Sequence, residues 1–169
     1  MDRLTTDILV VGSGPAGSTV ARYAAEKGVQ VTFIERRHEV GVPVRCGEFL
    51  PDVDEIRTMF PLADDLEGTF DLPSEMKLIE TDRIRLVNPK NKATDIPMNG
   101  YTIDRDRYDQ YLADEAIRSG ATLIKDCLFK NIDGNKAITS QGEIEYKVII
   151  GADGPGSRVA RSLGLQRNH

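Results

Sequence analysis

The sequence is poor in cysteine and histidine, with two of each among 169 residues, and it has no long basic run and no apolar run of membrane-spanning length. Cys46 and Cys127 stand in unlike contexts, so they read as free thiols in a reducing cytoplasm rather than as a disulfide framework. His38 lies in a charged turn and His169 at the terminus; neither has companions at metal-ligand spacing, so no metal is expected. The longest apolar stretches fall well short of the roughly 18 residues that a spanning helix needs. The chain runs almost at once into a strand pattern, so no secretory leader is expected. Lys and Arg number 22 against 27 Asp and Glu, a net charge of −5, and nucleic acid is not an expected partner. No internal repeat or low-complexity tract appears. The 40% hydrophobic and 29% charged residues describe an ordinary globular chain long enough for one real core.

What the sequence does have is concentrated between Asp7 and Arg36. Ile8-Leu9-Val10-Val11 is too short for a helix and reads as a strand buried on both faces. Gly12-Ser13-Gly14-Pro15-Ala16-Gly17 follows, then a helical pattern from Ala16 to Lys27, with a stop at Gly28. Val29 to Ile34 reads as a second buried strand with Glu35 at its tip. Each part has a physical task. Gly12 lets the chain turn sharply. Gly14 lets a pyrophosphate approach the backbone, and Gly17 lets helix and sheet pack closely. The helix N-terminus offers unpaired N–H groups to phosphates, and Glu35 can accept hydrogen bonds from a ribose diol. A carboxylate there disfavours a 2′-phosphate, so the site is expected to hold FAD or NAD rather than NADP. Arg36 and Arg37 next to it read as a solvated basic turn.

Beyond Arg37 an irregular loop, His38 to Leu50, carries apolar residues together with Arg45, Cys46 and Glu48. Asp52 to Leu66 has a helical pattern at Val53, Ile56, Met59 and Phe60, stopped by Pro61. From Glu75 to Ile103 four short β-like runs are separated by Asn88-Pro89-Lys90-Asn91 and Asn99-Gly100, an antiparallel insertion on a parallel sheet. Asp104 to Ser119 reads as a helix with Asp104 as N-cap. Strands are expected at Ala121–Ile124, Cys127–Ile132, Lys136–Thr139 and Ile144–Ile150. A second glycine turn with an acid, Gly151-Ala152-Asp153-Gly154, then leads into another helix. The fold class is α/β: a Rossmann-like dinucleotide-binding fold with a parallel sheet, helices on its faces and an antiparallel insertion, all in one domain over residues 1–169. Asp64, Asp65 and Glu67 read as a solvated acidic face, Cys127 as core, and Tyr108 and Tyr111 as helix packing.

Three motifs in this order resemble the para-hydroxybenzoate-hydroxylase-like FAD enzymes: the first glycine turn with Glu35, Asp104-Arg105 with Tyr108-Asp109 and Leu112, and Gly151 to Ser157 with Arg161. The loop Pro43-Val44-Arg45-Cys46-Gly47-Glu48 resembles, more narrowly, that of the geranylgeranyl reductases, including the archaeal digeranylgeranylglycerophospholipid reductases. The resemblance implies FAD as cofactor, with NAD(P)H or ferredoxin as external donor, and hydride transfer to the C=C bonds of an isoprenoid lipid. It implies that Gly12, Gly14, Pro15, Ala16 and Gly17 hold the pyrophosphate, with Glu35 and Arg36 at the adenosine ribose. It implies that Arg45, Cys46 and Gly47 lie beside the flavin, that Arg105 contacts the cofactor, that Phe129 offers backbone to the adenine, and that Asp153 and Gly154 tie in the second glycine turn. Cys46 is the candidate catalytic residue; the bland alternative is a small buried hydrophobe.

The departures from the family are equally definite. Family members run to more than twice this length, and the second flavin motif and substrate domain are absent, which implies a fragment. Phe49 stands where a glycine commonly follows the loop's glutamate. Membrane contact, if any, would come through the missing half. Two other functions fit the same fold: a flavin-dependent aromatic hydroxylase, and a non-catalytic dinucleotide-binding module.

Overall fold

The computed structural model describes residues 4–63, 66, 70 and 72–165. The acidic trio Asp64, Asp65 and Glu67, and His169, lie outside them. The chain divides into two compact units, one formed by residues 1–44 and 109–169 and the other by residues 45–108.

The first unit is built on β1 (Leu4–Val11), a strand with two apolar faces. Leu9 and Val11 enter one core cluster and Val10 the other, as the two-residue side-chain period requires. A central strand in a sheet covered on both sides must be apolar throughout, and so is its neighbour β2 (Val31–Ile34), buried at all four positions. Burial of Leu9, Val10 and Phe33 is complete, and each such side chain contributes about 1.5–3 kcal/mol. The six-stranded sheet runs β6-β2-β1-β9-β8-β7, with β6 (Thr122–Ile124), β7 (Phe129–Asp133), β8 (Lys136–Thr139) and β9 (Glu143–Gly151). The strands β6, β2, β1 and β9 are parallel; β8 and β7 continue the sheet as an antiparallel meander. The expected parallel sheet is therefore the core of a mixed one. Gly134, at φ 58, closes the β7–β8 hairpin.

Helix α1 (Pro15–Glu26) begins one residue earlier than its apolar pattern, because Pro15 fits the first helical position. It ends where Gly28, at φ 77, lets the chain fold back: Gly28 N–H donates to Ala25 and Val29 N–H to Ala24. That turn delays β2 to Val31 rather than Val29. Ala21 of α1 packs with Ala113 and Ala116 on one face of the sheet, whereas Val159 packs on the other. Among the described residues no helix is long and apolar enough to cross a membrane.

The second unit contains a three-stranded antiparallel sheet of order β3-β5-β4. Here the sequence reading needs three corrections. First, the loop to Leu50 ends sooner, because Phe49–Pro51 forms strand β3, paired to β5. Second, the four short runs are two eleven-residue strands, β4 (Lys77–Val87) and β5 (Ala93–Ile103). Asn88 to Asn91 is their turn, as expected, but Asn99-Gly100 lies inside β5. A β-carbon on Gly100 would stand 2.7 Å from Phe49 Cε2, so this glycine serves close packing, not chain reversal. Third, α2 spans only Val53–Met59; its Asp52 cap accepts from Glu55 N–H at 2.8 Å, and Ile56 is its one buried residue, with Met59 and Phe60 exposed. Helix α3 (Arg105–Arg118) takes the place expected for Asp104–Ser119.

Candidate functional site

In the first unit the C-terminal ends of the parallel strands β1, β2 and β9 bring three distant sequence motifs together. In open α/β sheets that is where ligands bind. Gly12 follows β1 at φ 104, a conformation that L side chains rarely adopt. A β-carbon there would collide with the Ala152 carbonyl and lie 3.2 Å from Asp153 Cα. The two glycine turns are thus in direct contact, tied by Ala152 N–H donating to Val11 at 2.8 Å.

The N-terminus of α1 is open. Its cap residue is Gly14, no side chain caps it, and its first turn holds no acidic residue. A β-carbon on Gly14 would meet nothing within 4 Å. The first N–H groups of a helix have no partner within it. Here no side-chain cap among the described residues competes with an anion for them, and the helix dipole favours negative charge. Gly17 differs: a β-carbon on it would collide with the Gly12 carbonyl, so its smallness holds turn and helix together.

Glu35, half-buried at the tip of β2, is oriented from two sides. Ser13 donates to its Oε2 from Oγ at 3.0 Å and from N–H at 3.3 Å, and Arg37 N–H donates to Oε1 at 3.0 Å. A carboxylate has about four lone-pair sites, so at least one stays open for a hydroxyl. The Glu35 backbone is fixed as well, its N–H donating to Ile124 and its carbonyl accepting from Cys127. The residues present therefore fit a dinucleotide: an uncapped helix N-terminus for the pyrophosphate, space over Gly14, and an oriented acceptor for the ribose.

Asp153 has a local task. Its Oδ1 accepts from Ser157 Oγ at 2.5 Å, and its Oδ2 from Arg158 N–H at 2.6 Å. It thereby fixes the start of α4 (Arg158–Ser162), whose N-cap Ser157 accepts from Ala160 N–H. Gly154 sits in this turn at φ 83. Phe129 buries its side chain, and its carbonyl accepts from the Arg158 guanidinium at 3.3 Å. Arg36 is exposed. His38 pairs with Asp126 at 3.0 Å.

The remaining sequence-derived site residues belong to the second unit. Arg45 and Cys46 are exposed, and a β-carbon on Gly47 would meet nothing within 4 Å. The reading of Cys46 as a small buried hydrophobe is overturned; Cys127 is the buried thiol. The Arg105 guanidinium lies 5.6 Å from the centroid of the Tyr108 ring. Just before it, a hydrogen bond with Asp106 holds the Asp104 carboxyl above the usual carboxylate range. The sequence assigns no site role to Ser13 or Ser18 and places Ser157 only within the second glycine motif. Only Ser157 carries a local signal, a hydroxyl just after a glycine turn that contains an acid; Ser13 and Ser18 lie in a stretch without one.

The FAD binding domain family matches residues 5–169. A digeranylgeranylglycerophospholipid reductase of Methanothrix thermoacetophila is 37% identical over 169 residues, covering 94% of this chain and 42% of the relative. The chain thus spans less than half the length of such reductases. An uncharacterized protein of Methanosarcina barkeri is 39% identical over 163 residues, with 88% of its own length covered. A solved structure, a geranylgeranyl bacteriochlorophyll reductase-like protein of Thermoplasma acidophilum, superposes with a TM-score of 0.77 at 31% identity, over 98% of this chain and 43% of that one. On the match to residues 5–169, this chain belongs to the FAD binding domain family, and FAD is its cofactor.

Proposed function

We propose that this chain is the cofactor-holding part of a flavin-dependent reductase acting on the C=C bonds of geranylgeranyl chains in isoprenoid or ether-lipid synthesis. The observation that carries the reading is the open N-terminus of α1 facing space over Gly14, with Glu35 oriented beside it, in a chain whose curated relatives include digeranylgeranylglycerophospholipid reductases.

When bound, FAD supplies hydride-transfer chemistry at its reduced ring. The protein's part is binding and orientation. The first N–H groups of α1 take the pyrophosphate, Glu35 takes a ribose hydroxyl, and the contact between the glycine turns keeps both in place. In this reading Arg45, Cys46, Gly47 and Arg105 serve the flavin side, with Cys46 presenting an exposed thiol to the substrate. The electron donor would be NAD(P)H or ferredoxin, and the substrate an isoprenoid lipid presented at a membrane surface by further protein.

The chain alone is expected to be inactive, so the test is mass spectrometry of a geranylgeranyl ether lipid incubated with a chemical reductant and the flavin-loaded chain joined to the remaining part of such a reductase. The reading expects two hydrogens added per reduced bond, and less product with Cys46→Ala. Unchanged lipid, with oxygen consumed in the presence of a small aromatic, would favour a hydroxylase.

One observation supports a second reading, a non-catalytic dinucleotide-binding module: the Methanosarcina barkeri relative is spanned to 88% of its length. FAD retained by a protein that reduces nothing would be its signature.

A further inference from the structure

We infer that Ser13 is a positioning residue for the nucleotide, acting through Glu35, and that Ser18 locks it in place. The inference rests on Glu35 as the ribose acceptor.

Ser13 occupies the variable second position of the glycine turn, where the fingerprint demands no particular side chain. In this chain it is 1% exposed, and both its donors converge on one oxygen of Glu35. Beneath it, Ser18 is fully buried in the first turn of α1, and its hydroxyl donates to the Ser13 carbonyl at 2.9 Å. The relay therefore runs from Ser18 to the Ser13 backbone, and from Ser13 to Glu35. Every member is buried or half-buried, so water competes weakly for these bonds.

The consequence is geometric. A glutamate at a strand tip has three rotatable torsions, and ordering them costs entropy at the moment of binding. With Oε2 held by Ser13 and Oε1 by Arg37 N–H, that cost is met during folding. The acceptor then stands ready for a hydroxyl. The same fixation keeps the carboxylate charge where a 2′-phosphate would sit, which makes Ser13 a contributor to the rejection of phosphorylated ribose.

The experiment is a double-mutant cycle on this chain, with affinities for FAD by flavin fluorescence and for ADP-ribose by calorimetry. ADP-ribose keeps the adenosine diphosphate and lacks the flavin, so it reports on the adenosine ribose site whether or not the flavin ring finds all its contacts. Ser13→Ala should weaken ADP-ribose about tenfold, as expected for loss of a charge-assisted hydrogen bond. Ser13→Thr, which keeps the hydroxyl, should restore most of the affinity. In a Glu35→Ala background Ser13→Ala should cost nothing further, and the preference of the wild type for ADP-ribose over its 2′-phosphorylated form should shrink in both single variants. An equal loss in both backgrounds would show that Ser13 acts only on the fold and would overturn the inference. Glu35→Ala binding as tightly as wild type would overturn the ribose reading itself, whatever Ser13 does.

Discussion

Gly17 and Gly12 are packed backbone to backbone: a β-carbon on Gly17 would collide with the Gly12 carbonyl oxygen and stand 2.9 Å from its carbonyl carbon. Neither partner can move as a flexible side chain would. Gly17→Ala should therefore destabilise the chain by about 3 kcal/mol or more, since overpacking against fixed atoms is among the costlier core changes. Gly14→Ala makes the contrast, because its β-carbon would enter open space. It should cost about 1 kcal/mol or less, yet weaken FAD by filling the approach of the pyrophosphate. Thermal melts with and without FAD separate the two glycines. Equal melting points for the two variants would contradict the assignment.

Gly100 lies inside β5 against Phe49 of β3, and this contact fixes the second unit. Gly100→Ala should loosen residues 45–108 by about 2 kcal/mol or more. Hydrogen exchange across β3 and β5 should speed up, while β1 and β2 remain protected. Unchanged exchange at Leu50 and Tyr101 would refute it.

Asp95 has a carboxyl held below its ordinary range, first by its hydrogen bonds from Arg85 and then by the charges of Arg85 and Arg83. A depressed carboxylate contributes stability above its unfolded value, near 3.8, and that contribution is lost as pH falls through the lower folded value. The group is exposed, so the effect is small and salt-sensitive. Asp95→Asn should speed exchange in the β4–β5 hairpin at pH 7 and make no difference at pH 2. A difference that persists at pH 2 would point to packing instead.

The two thiols should differ sharply in reactivity. Cys46 is exposed and Cys127 is 1% exposed. A thiol reagent should titrate one group in the folded protein and the second only in denaturant. Rapid modification of both in the native state would contradict the burial of Cys127.

The first unit was almost fully legible in the sequence, because each of its elements is decided locally. Leu9-Val10-Val11 can only be a strand with two covered faces, Gly28 can stop a helix by its positive φ, and Gly134 can close a hairpin. The second unit was read less well for a physical reason. Its long strands are half-exposed, so Asp82 and Arg83 interrupt the apolar alternation that marks a strand, and two strands read as four. Asn99-Gly100 reads as a turn from composition, yet the reason for the glycine is Phe49, fifty residues away and invisible locally. In the site, backbone-determined features were foreseen: the open helix N-terminus and the acid at the strand tip. Side-chain relays were not, since nothing in the string of letters shows that Ser13 faces Glu35 rather than solvent. Asp153 was expected to serve the cofactor, and its carboxylate is engaged by the first turn of α4.

The most direct measurement is the visible spectrum of the purified chain after incubation with excess FAD and desalting, for the wild type and Glu35→Ala. The account predicts a retained flavin band for the wild type and a weaker or absent band for the variant, with both chains folded by circular dichroism. An equal band in both would contradict the assignment of Glu35 to the ribose. Release of NAD rather than FAD from the purified chain on denaturation, identified by mass spectrometry, would contradict the account at its centre.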